Sequence, residues 1–381
     1  MEDLGKMIQT NFWKGKKVFI TGHTGFKGAW LSIWLSSLGA DVYGYALTPP
    51  TNPNIYTLSD LKAHLVRSTI GDLSDESLLK QAVQESDAEI VFHLAAQPIV
   101  RASYQAPIKT FVDNTIGTAR LLEALRSLKN LHAVVIITTD KCYENKEWFW
   151  PYRESDGLGG YDPYSASKAC AEIVTSSYRR SFFNPSEYGK SHKVGIATVR
   201  AGNVIGGGDW ARDRLIPDII RAFDGGEKVV IRNPQAIRPW QHVLEPLHGY
   251  LMLAERLFTY GIEYGEAWNF GPDETDAKPV SWIVESFSKL WKNAPGVVLD
   301  DGEHPHEASY LKLDCSKAKN RLGWEPVWNL ENALQKIFEW NERIRAGEDV
   351  FEVCISQIHD FEKAQLAMKS SQNIRFLGNR N

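Results

Sequence analysis

Between Lys16 and Arg200 the chain alternates two textures. Short runs of consecutive apolar, often β-branched residues recur: "KKVFITG" (16–22), "DVYGYAL" (41–47), "HLVRSTIGD" (64–72), "AEIVFHLAA" (88–96), "LHAVVIITT" (131–139) and "HKVGIATVR" (192–200). Helix-length segments separate them, such as "GAWLSIWLSSLG" (28–39), which a glycine closes. Strand–helix–strand repetition requires right-handed crossovers between parallel strands, so the pattern predicts a doubly wound α/β sheet. Runs that are apolar throughout fit strands covered on both faces.

After about residue 203 glycine and proline become dense ("GNVIGGGDW", "RNPQAIRPW", "NFGPDETDAKP") and the loops lengthen. We expect a dinucleotide-binding domain over 12–202, with a segment near 240–275 returning to it. A smaller mixed α/β lobe is expected over 203–239 and 276–350, and a polar, helical, peripheral tail over 351–381.

Composition narrows the function. With 381 residues, 43% of them hydrophobic, the chain exceeds the size at which a single core stops growing. A net charge of −4 without like-charge blocks lacks the basic footprint of a nucleic-acid binder. No apolar run approaches the ~20 residues of a membrane span, and "MEDLGKMIQTNFWKG" has no apolar leader core. Cys142, Cys170, Cys315 and Cys354 lie far apart, which suggests neither a zinc site nor a disulfide framework. No membrane partner, no metal and a cytoplasmic location are the expectations.

"FITGHTGFKGAW" places Gly22, Gly25 and Gly28, with Phe26 among them, where the first strand meets the first helix. A helix N-terminus offers unpaired N–H groups and the positive end of a dipole, and glycines let a pyrophosphate approach the backbone. The loop therefore predicts a Rossmann-like dinucleotide site. "YALTPPT", after the second strand, has neither the acid that holds ribose hydroxyls nor a cation for a 2′-phosphate, so NAD is favoured over NADP by default. Asp72, ending the third strand, is either a contact to the adenine side or a helix N-cap.

Two further stretches carry chemistry. "YSASK" puts Tyr164 and Lys168 four apart on one helical face, where a cation beside a phenol favours phenolate. "TTDKCYE" ends an apolar strand with Thr139, Asp140 and Lys141, an acid and a base side by side.

Together with "FHLAAQP" (92–98), "VDNTIGTARLLEA" (112–124), "VRAGNVIGGGD" (199–209) and "IRPWQHV" (237–243), these motifs resemble the extended short-chain dehydrogenase/reductase superfamily, in the branch that acts on nucleotide sugars. The likeness spans roughly 15–345. Within that branch Thr-Asp-Lys, "YENKEWFWPYRESDGLGGYDPYSASKACAE" and "HPHEASYLKLD" resemble the 4,6-dehydratases that take CDP-glucose.

That resemblance implies NAD as a resident cofactor, held by Gly22, Gly25, Phe26, Gly28, Asp72, Ala95, Ala96, Asn114, Tyr164 and Lys168. It implies catalysis by Thr139, Asp140, Lys141, Tyr164 and Lys168: oxidation at C4 of the sugar, loss of water across C5–C6, and hydride return to C6. Asp140 is the expected acid; Lys141 either takes the C5 proton or only orients the sugar and tunes Asp140. Asn203, Arg212, Arg238 and His306 are the expected substrate contacts, and Arg214 beside Arg212 flanks a candidate lid helix. Relatives of this kind pair the helices near 108–127 and 163–182 into a four-helix bundle, so a homodimer is expected. A 4-epimerase, or a dehydratase for another nucleotide of glucose, would share most of these residues.

Overall fold

The structure, a computed structural model, describes residues 8–300, 302 and 310–378. Its centre is a seven-stranded sheet of β1 (Lys17–Thr21), β2 (Asp41–Ala46), β3 (Arg67–Ile70), β4 (Ile90–His93), β5 (Ala133–Ile137), β6 (Gly195–Ala201) and β10 (Ala267–Phe270). The spatial order is β3-β2-β1-β4-β5-β6-β10 and every pairing is parallel. Every residue of β4, β5 and β6 is buried, as a sheet covered on both faces requires. Alternation sorts their side chains. Ile20, Phe92, Val135 and Val199 meet the helices Phe26–Ser37 and Leu244–Tyr260. Phe19, Val91, Val134 and Ile136 meet the helices Glu76–Ser86 and Gly117–Leu125.

The chain leaves this sheet after β6. β7 (Asn203–Ile205), β9 (Ile237–His242) and β11 (Ala277–Pro279) form a mixed three-stranded sheet, and β8 (Val229–Ile231) pairs with β12 (Val297–Leu299). The helices Leu215–Asp224, Val280–Ser288 and Leu330–Arg345 close this lobe over Ile216, Ile219, Phe223, Ile283, Phe287, Leu334 and Ile337. Between the two visits to the lobe, helix Leu244–Tyr260 packs on β5 and β6, and β10 joins the large sheet beside β6.

The expectation of a peripheral tail needs correction. In helix Val350–Gly378, Val353, Cys354, Ile358 and Phe361 are at most 1% exposed. They recur at helical spacing and cover Trp34, whose ring meets Phe361 edge-on at 5.8 Å. The polar majority of this segment occupies the outer face, which is why its composition reads as solvent-facing.

β1 and β4 are neighbours whose chains then run to opposite sides of the sheet. Ligands of doubly wound sheets bind at the carboxyl ends of strands beside such a switch point. Gly22, Thr139 and the residues after β4 all lie there.

Candidate active site

The glycine turn is built by close backbone approach. Gly22 has φ +80°, and a Cβ there would stand 2.7 Å from the Ala95 nitrogen. A Cβ on Gly28 would lie 2.1 Å from the Gly22 carbonyl oxygen, so this helix can sit against the strand end only without a side chain. Gly25 differs: its Cβ would meet only the Gly22 oxygen, at 3.4 Å. It is the N-cap of helix Phe26–Ser37, whose first turn no side chain caps. Such an end suits an anion such as a dinucleotide's diphosphate. His23 fills the space left by Gly44, with Nε2 2.7 Å from Ser68 Oγ.

The loop after β4 is braced from two sides. The Ala95 N–H donates to Thr21 Oγ1 (3.2 Å), and Ala96 follows it. Fully buried Asn114 lies in a single π-helical turn, Val112–Ile116. Its Oδ1 accepts from the Gln97 N–H (2.8 Å), while Nδ2 donates to the Gln97 carbonyl (3.1 Å) and Ser167 Oγ (2.8 Å). Both amide hydrogens are engaged with the protein, so Asn114 ties the loop after β4 to helix Pro163–Ser181 and has no spare donor. Asp72 accepts from the Ser74 N–H, which holds its carboxyl below the usual range. The N-cap of the next helix is Asp75, not Asp72.

β5 ends in a pinned turn. Thr138 Oγ1 donates to Glu172 Oε1 (2.6 Å). Glu172 also accepts from Thr198 and from both Arg200 Nε and Nη2, the last two at 2.9 Å. All four sites of this buried carboxylate are used, and these bonds hold its pKa below the ordinary value although burial alone would raise it. Thr139 then caps one 3₁₀ turn, Asp140–Cys142, accepting from the Lys141 N–H at 3.3 Å. Its hydroxyl donates to Asp140 Oδ1 (3.0 Å). Asp140 is 2% exposed, and its Oδ2 has no hydrogen-bond partner among the described residues. Burial raises its pKa, opposed by the charge of Lys141, the Thr139 hydrogen bond and Arg238.

Helix Pro163–Ser181 begins with Asp162 accepting from the Ser165 N–H and hydroxyl, with proline at its first position. It brings Tyr164 to the cleft and buries Lys168. The two stand one turn apart on this helix, as their spacing predicts. The Lys168 ammonium donates to the Ile137 carbonyl (3.0 Å), and burial, aided by Lys27, lowers its pKa to about 7. Burial pushes the Tyr164 phenol up to about 12, partly offset by Thr139. The positive charge of Arg214 also opposes this rise.

Thr139, Asp140, Lys141 and Tyr164 line one end of a cavity of about 280 Å³ between the large sheet and the small lobe. Of the expected substrate contacts, Asn203 and Arg238 line it too; Arg238 donates to the Ile237 carbonyl (3.0 Å). Arg212 does not. It is exposed, and Arg214 holds the corresponding wall, bonded to Asp209 Oδ2 (2.8 Å). Arg212 and Asp213 form a turn whose left-handed backbone at Asp213 (φ +61°) redirects the chain between the two arginines, and no periodicity in the sequence marks that change. His306 lies outside the described residues. Lys27, Arg101 and Arg232 also line the cavity. Lys27 stands inside the glycine motif and could have been read as a charge at its mouth; nothing local marks Arg101 or Arg232. Nor do Trp148, Phe149 and Trp150, three aromatic residues between Lys141 and Tyr164, line the cavity: Trp148 stacks on Tyr152, while Phe149 and Trp150 are exposed. His93 is a satisfied core residue between Thr21 and Thr118 hydroxyls.

A family model described as GDP-mannose 4,6 dehydratase matches residues 19–337. A CDP-glucose 4,6-dehydratase of Salmonella typhimurium is 54% identical over 94% of this chain and 99% of its own length. A dTDP-glucose 4,6-dehydratase of Xanthomonas campestris is 24% identical over 84% of this chain and 92% of its own. Among solved structures, a UDP-glucose 4-epimerase of Thermotoga maritima with UDP-glucose superposes with a TM-score of 0.72 at 21% identity, covering 86% of this chain and 99% of that one. A UDP-glucuronic acid 4-epimerase of Bacillus cereus with UDP-glucuronic acid and NAD gives 0.70 at 21% identity, with the same coverage. At such identities the structures speak for the fold alone.

Proposed function

The chain belongs to the GDP-mannose 4,6-dehydratase family, and from that premise we propose that it is an NAD-dependent hydro-lyase that converts CDP-glucose to CDP-4-keto-6-deoxyglucose. The observation that carries this reading is Asp140: a buried carboxyl with a raised pKa and one unpartnered oxygen, in the same cavity wall as Thr139 and Tyr164. A 4-epimerase has no leaving group to protonate and no use for such an acid.

The residues divide the reaction among them. NAD, when bound at the Gly22–Gly28 turn beside Ala95 and Ala96, supplies the hydride acceptor for C4 and the donor for C6. Tyr164 takes the C4 hydroxyl proton, and Thr139 holds the same oxygen. Because burial leaves the phenol near 12 even with the Thr139 bond and the Arg214 charge opposing it, Tyr164 depends on further positive charge to ionise, and Lys168, one turn along the same helix, would contribute it. Lys168 fixes the helix to the end of β5 and keeps the phenol in register with Thr139. With C4 a ketone, the C5 hydrogen is acidic. Lys141 as the neutral amine takes it, Asp140 gives its proton to the departing 6-hydroxyl, and the proton held on Lys141 returns to C5 as hydride reaches C6. Arg238, Arg214 and Asn203 receive the diphosphate end, where charge-assisted bonds to phosphate oxygens are strong.

Incubation with CDP-glucose and NAD, read by mass, tests this. Loss of one water is expected, with deuterium placed at C4 reappearing in the C6 methyl group. An unchanged mass would assign the site to an epimerase instead. A panel of glucose nucleotides tests the choice of CDP.

A homodimer is part of the proposal. Ile108, Val112 and Ile116, four residues apart, are 76%, 36% and 45% exposed on one helix, and Ile173 is 57% exposed on its neighbour. An apolar stripe across paired helices is what a four-helix bundle between two copies buries. The cytoplasm is proposed from the four unpaired cysteines. Among the described residues no helix is long and apolar enough to cross a membrane.

A further inference from the structure

Three charged side chains meet across the cavity and take no part in the chemistry above. Asp213 stands on the loop before helix Leu215–Asp224 with φ +61°, a left-handed conformation that Asp and Asn tolerate best among non-glycine residues. Its Oδ1 accepts from Arg101 Nη1 (3.3 Å) and from Arg232 Nη1 (3.4 Å). Arg101 lies in the short helix Val100–Gln105 that follows β4, and Arg232 directly follows β8 of the small lobe. One carboxylate oxygen thus gathers cations from both sides of the cleft, and all three residues line the cavity that holds Asp140 and Tyr164.

The contrast with the neighbouring acid is informative. Asp209 is 6% exposed and holds Arg214 at 2.8 Å. Asp213 is 39% exposed and holds its arginines, 36% and 26% exposed, at longer distance. Long, solvated pairs of this kind are weak and exchangeable. Sharing one oxygen between two guanidinium groups is also a poor match for donors built to engage oxygens in pairs. A diphosphate, with more oxygens and more charge, satisfies both arginines better.

We propose that Asp213 is an internal stand-in for the substrate's diphosphate: it holds Arg101 and Arg232 in place before substrate arrives, and a nucleoside diphosphate entering between them takes over both. This rests on the reading of the cavity as a nucleotide-sugar site. The consequence is selectivity. An anion that engages Arg101 and Arg232 must displace Asp213, and a whole nucleotide sugar, with contacts along the cavity, meets that cost more easily than pyrophosphate or a free nucleotide.

The test is calorimetric titration of the full chain with inorganic pyrophosphate. Asp213→Asn keeps the tolerance for left-handed backbone and removes the charge; Asp213→Gly removes charge and strain together. Both are expected to bind pyrophosphate roughly 3- to 30-fold more tightly than wild type, the range that losing two exposed pairs implies. The gain should shrink as salt rises. Arg232→Gln should weaken the same binding. Unchanged or weaker binding by Asp213→Asn with a wild-type melting temperature overturns the proposal, as does a gain confined to Asp213→Gly, which would assign the effect to backbone strain. An unaffected Arg232→Gln overturns it as well, and does so even where the Asp213 variants fail to fold. Wild-type conversion of CDP-glucose, followed by mass in the same preparation, keeps the two readings apart. A protein that shows the pyrophosphate pattern without losing water from CDP-glucose keeps the stand-in and loses the reaction.

Discussion

Thr139 donates its hydroxyl to Asp140 Oδ1 at 3.0 Å, while the buried Asp140 Oδ2 has no partner among the described residues. One oxygen is held and the other is available, which is the arrangement a positioned acid requires: orientation from one side, delivery from the other.

Asp140→Asn should therefore slow elimination by roughly 10²–10⁴-fold, the usual worth of a general acid, and leave C4 oxidation nearly intact. Single-turnover absorbance of the reduced nicotinamide separates the two steps. Lys141→Met should also permit oxidation and block exchange of the C5 hydrogen with solvent deuterium. Equal loss of oxidation and elimination in either variant would move that residue from chemistry to binding.

The glycines should part company. Gly28→Ala drives a Cβ to 2.1 Å from the Gly22 carbonyl, a backbone atom that cannot move aside, so poor folding is expected. Gly25→Ala meets only ordinary contact and should fold, with NAD affinity reduced about tenfold or more through hindrance of the helix N-terminus. Thermal unfolding and NAD titration of both variants distinguish the structural glycine from the ligand-facing one.

Stability should fall as pH rises from about 4.5 to 8. Glu245 is 1% exposed, and burial raises its pKa to about 8 against 4.5 ordinarily, despite bonds from the Val327 and Trp328 N–H groups. Burial raises Glu255 to about 7. The folded protein then binds more protons than the unfolded chain across that window, so the contribution is complete below 4.5 and is lost by about 8. Lys168 acts oppositely above pH 7: its lowered pKa favours the folded state as pH climbs toward 10.5. Glu245→Gln should flatten the acid-side slope while lowering the melting temperature at pH 5, because a side-chain amide can accept only one of the two N–H bonds cleanly. A slope unchanged by the substitution would assign the decline elsewhere.

Ile108→Glu or Ile173→Glu should produce monomers in sedimentation analysis without a change in far-ultraviolet circular dichroism, since both side chains are more than half exposed in the single chain. Dimers that survive both substitutions would place the interface on another face.

Much of this protein is legible in one dimension. The order of strands and helices, the glycine turn, and the sequence-local pieces Thr139–Lys141 and Tyr164–Lys168 follow from periodicity and short spacing, because those are set by neighbours along the chain. Tertiary structure decided what depends on which distant groups arrive at one place. Lys168 reads as the partner of Tyr164 from a four-residue interval; that its ammonium also bonds the Ile137 carbonyl at the end of β5 is decided by the fold. In the sequence Arg212 reads as the substrate contact with Arg214 beside it, and only the path of an irregular loop turns Arg214 inward. The tail reads as polar because most of its residues are, but a few apolar side chains at helical spacing suffice to seal Trp34. Arg101, Asp213 and Arg232 come from three separate stretches and carry no common motif. Their meeting is a product of packing, where burial and charge act through space and take no account of distance along the chain.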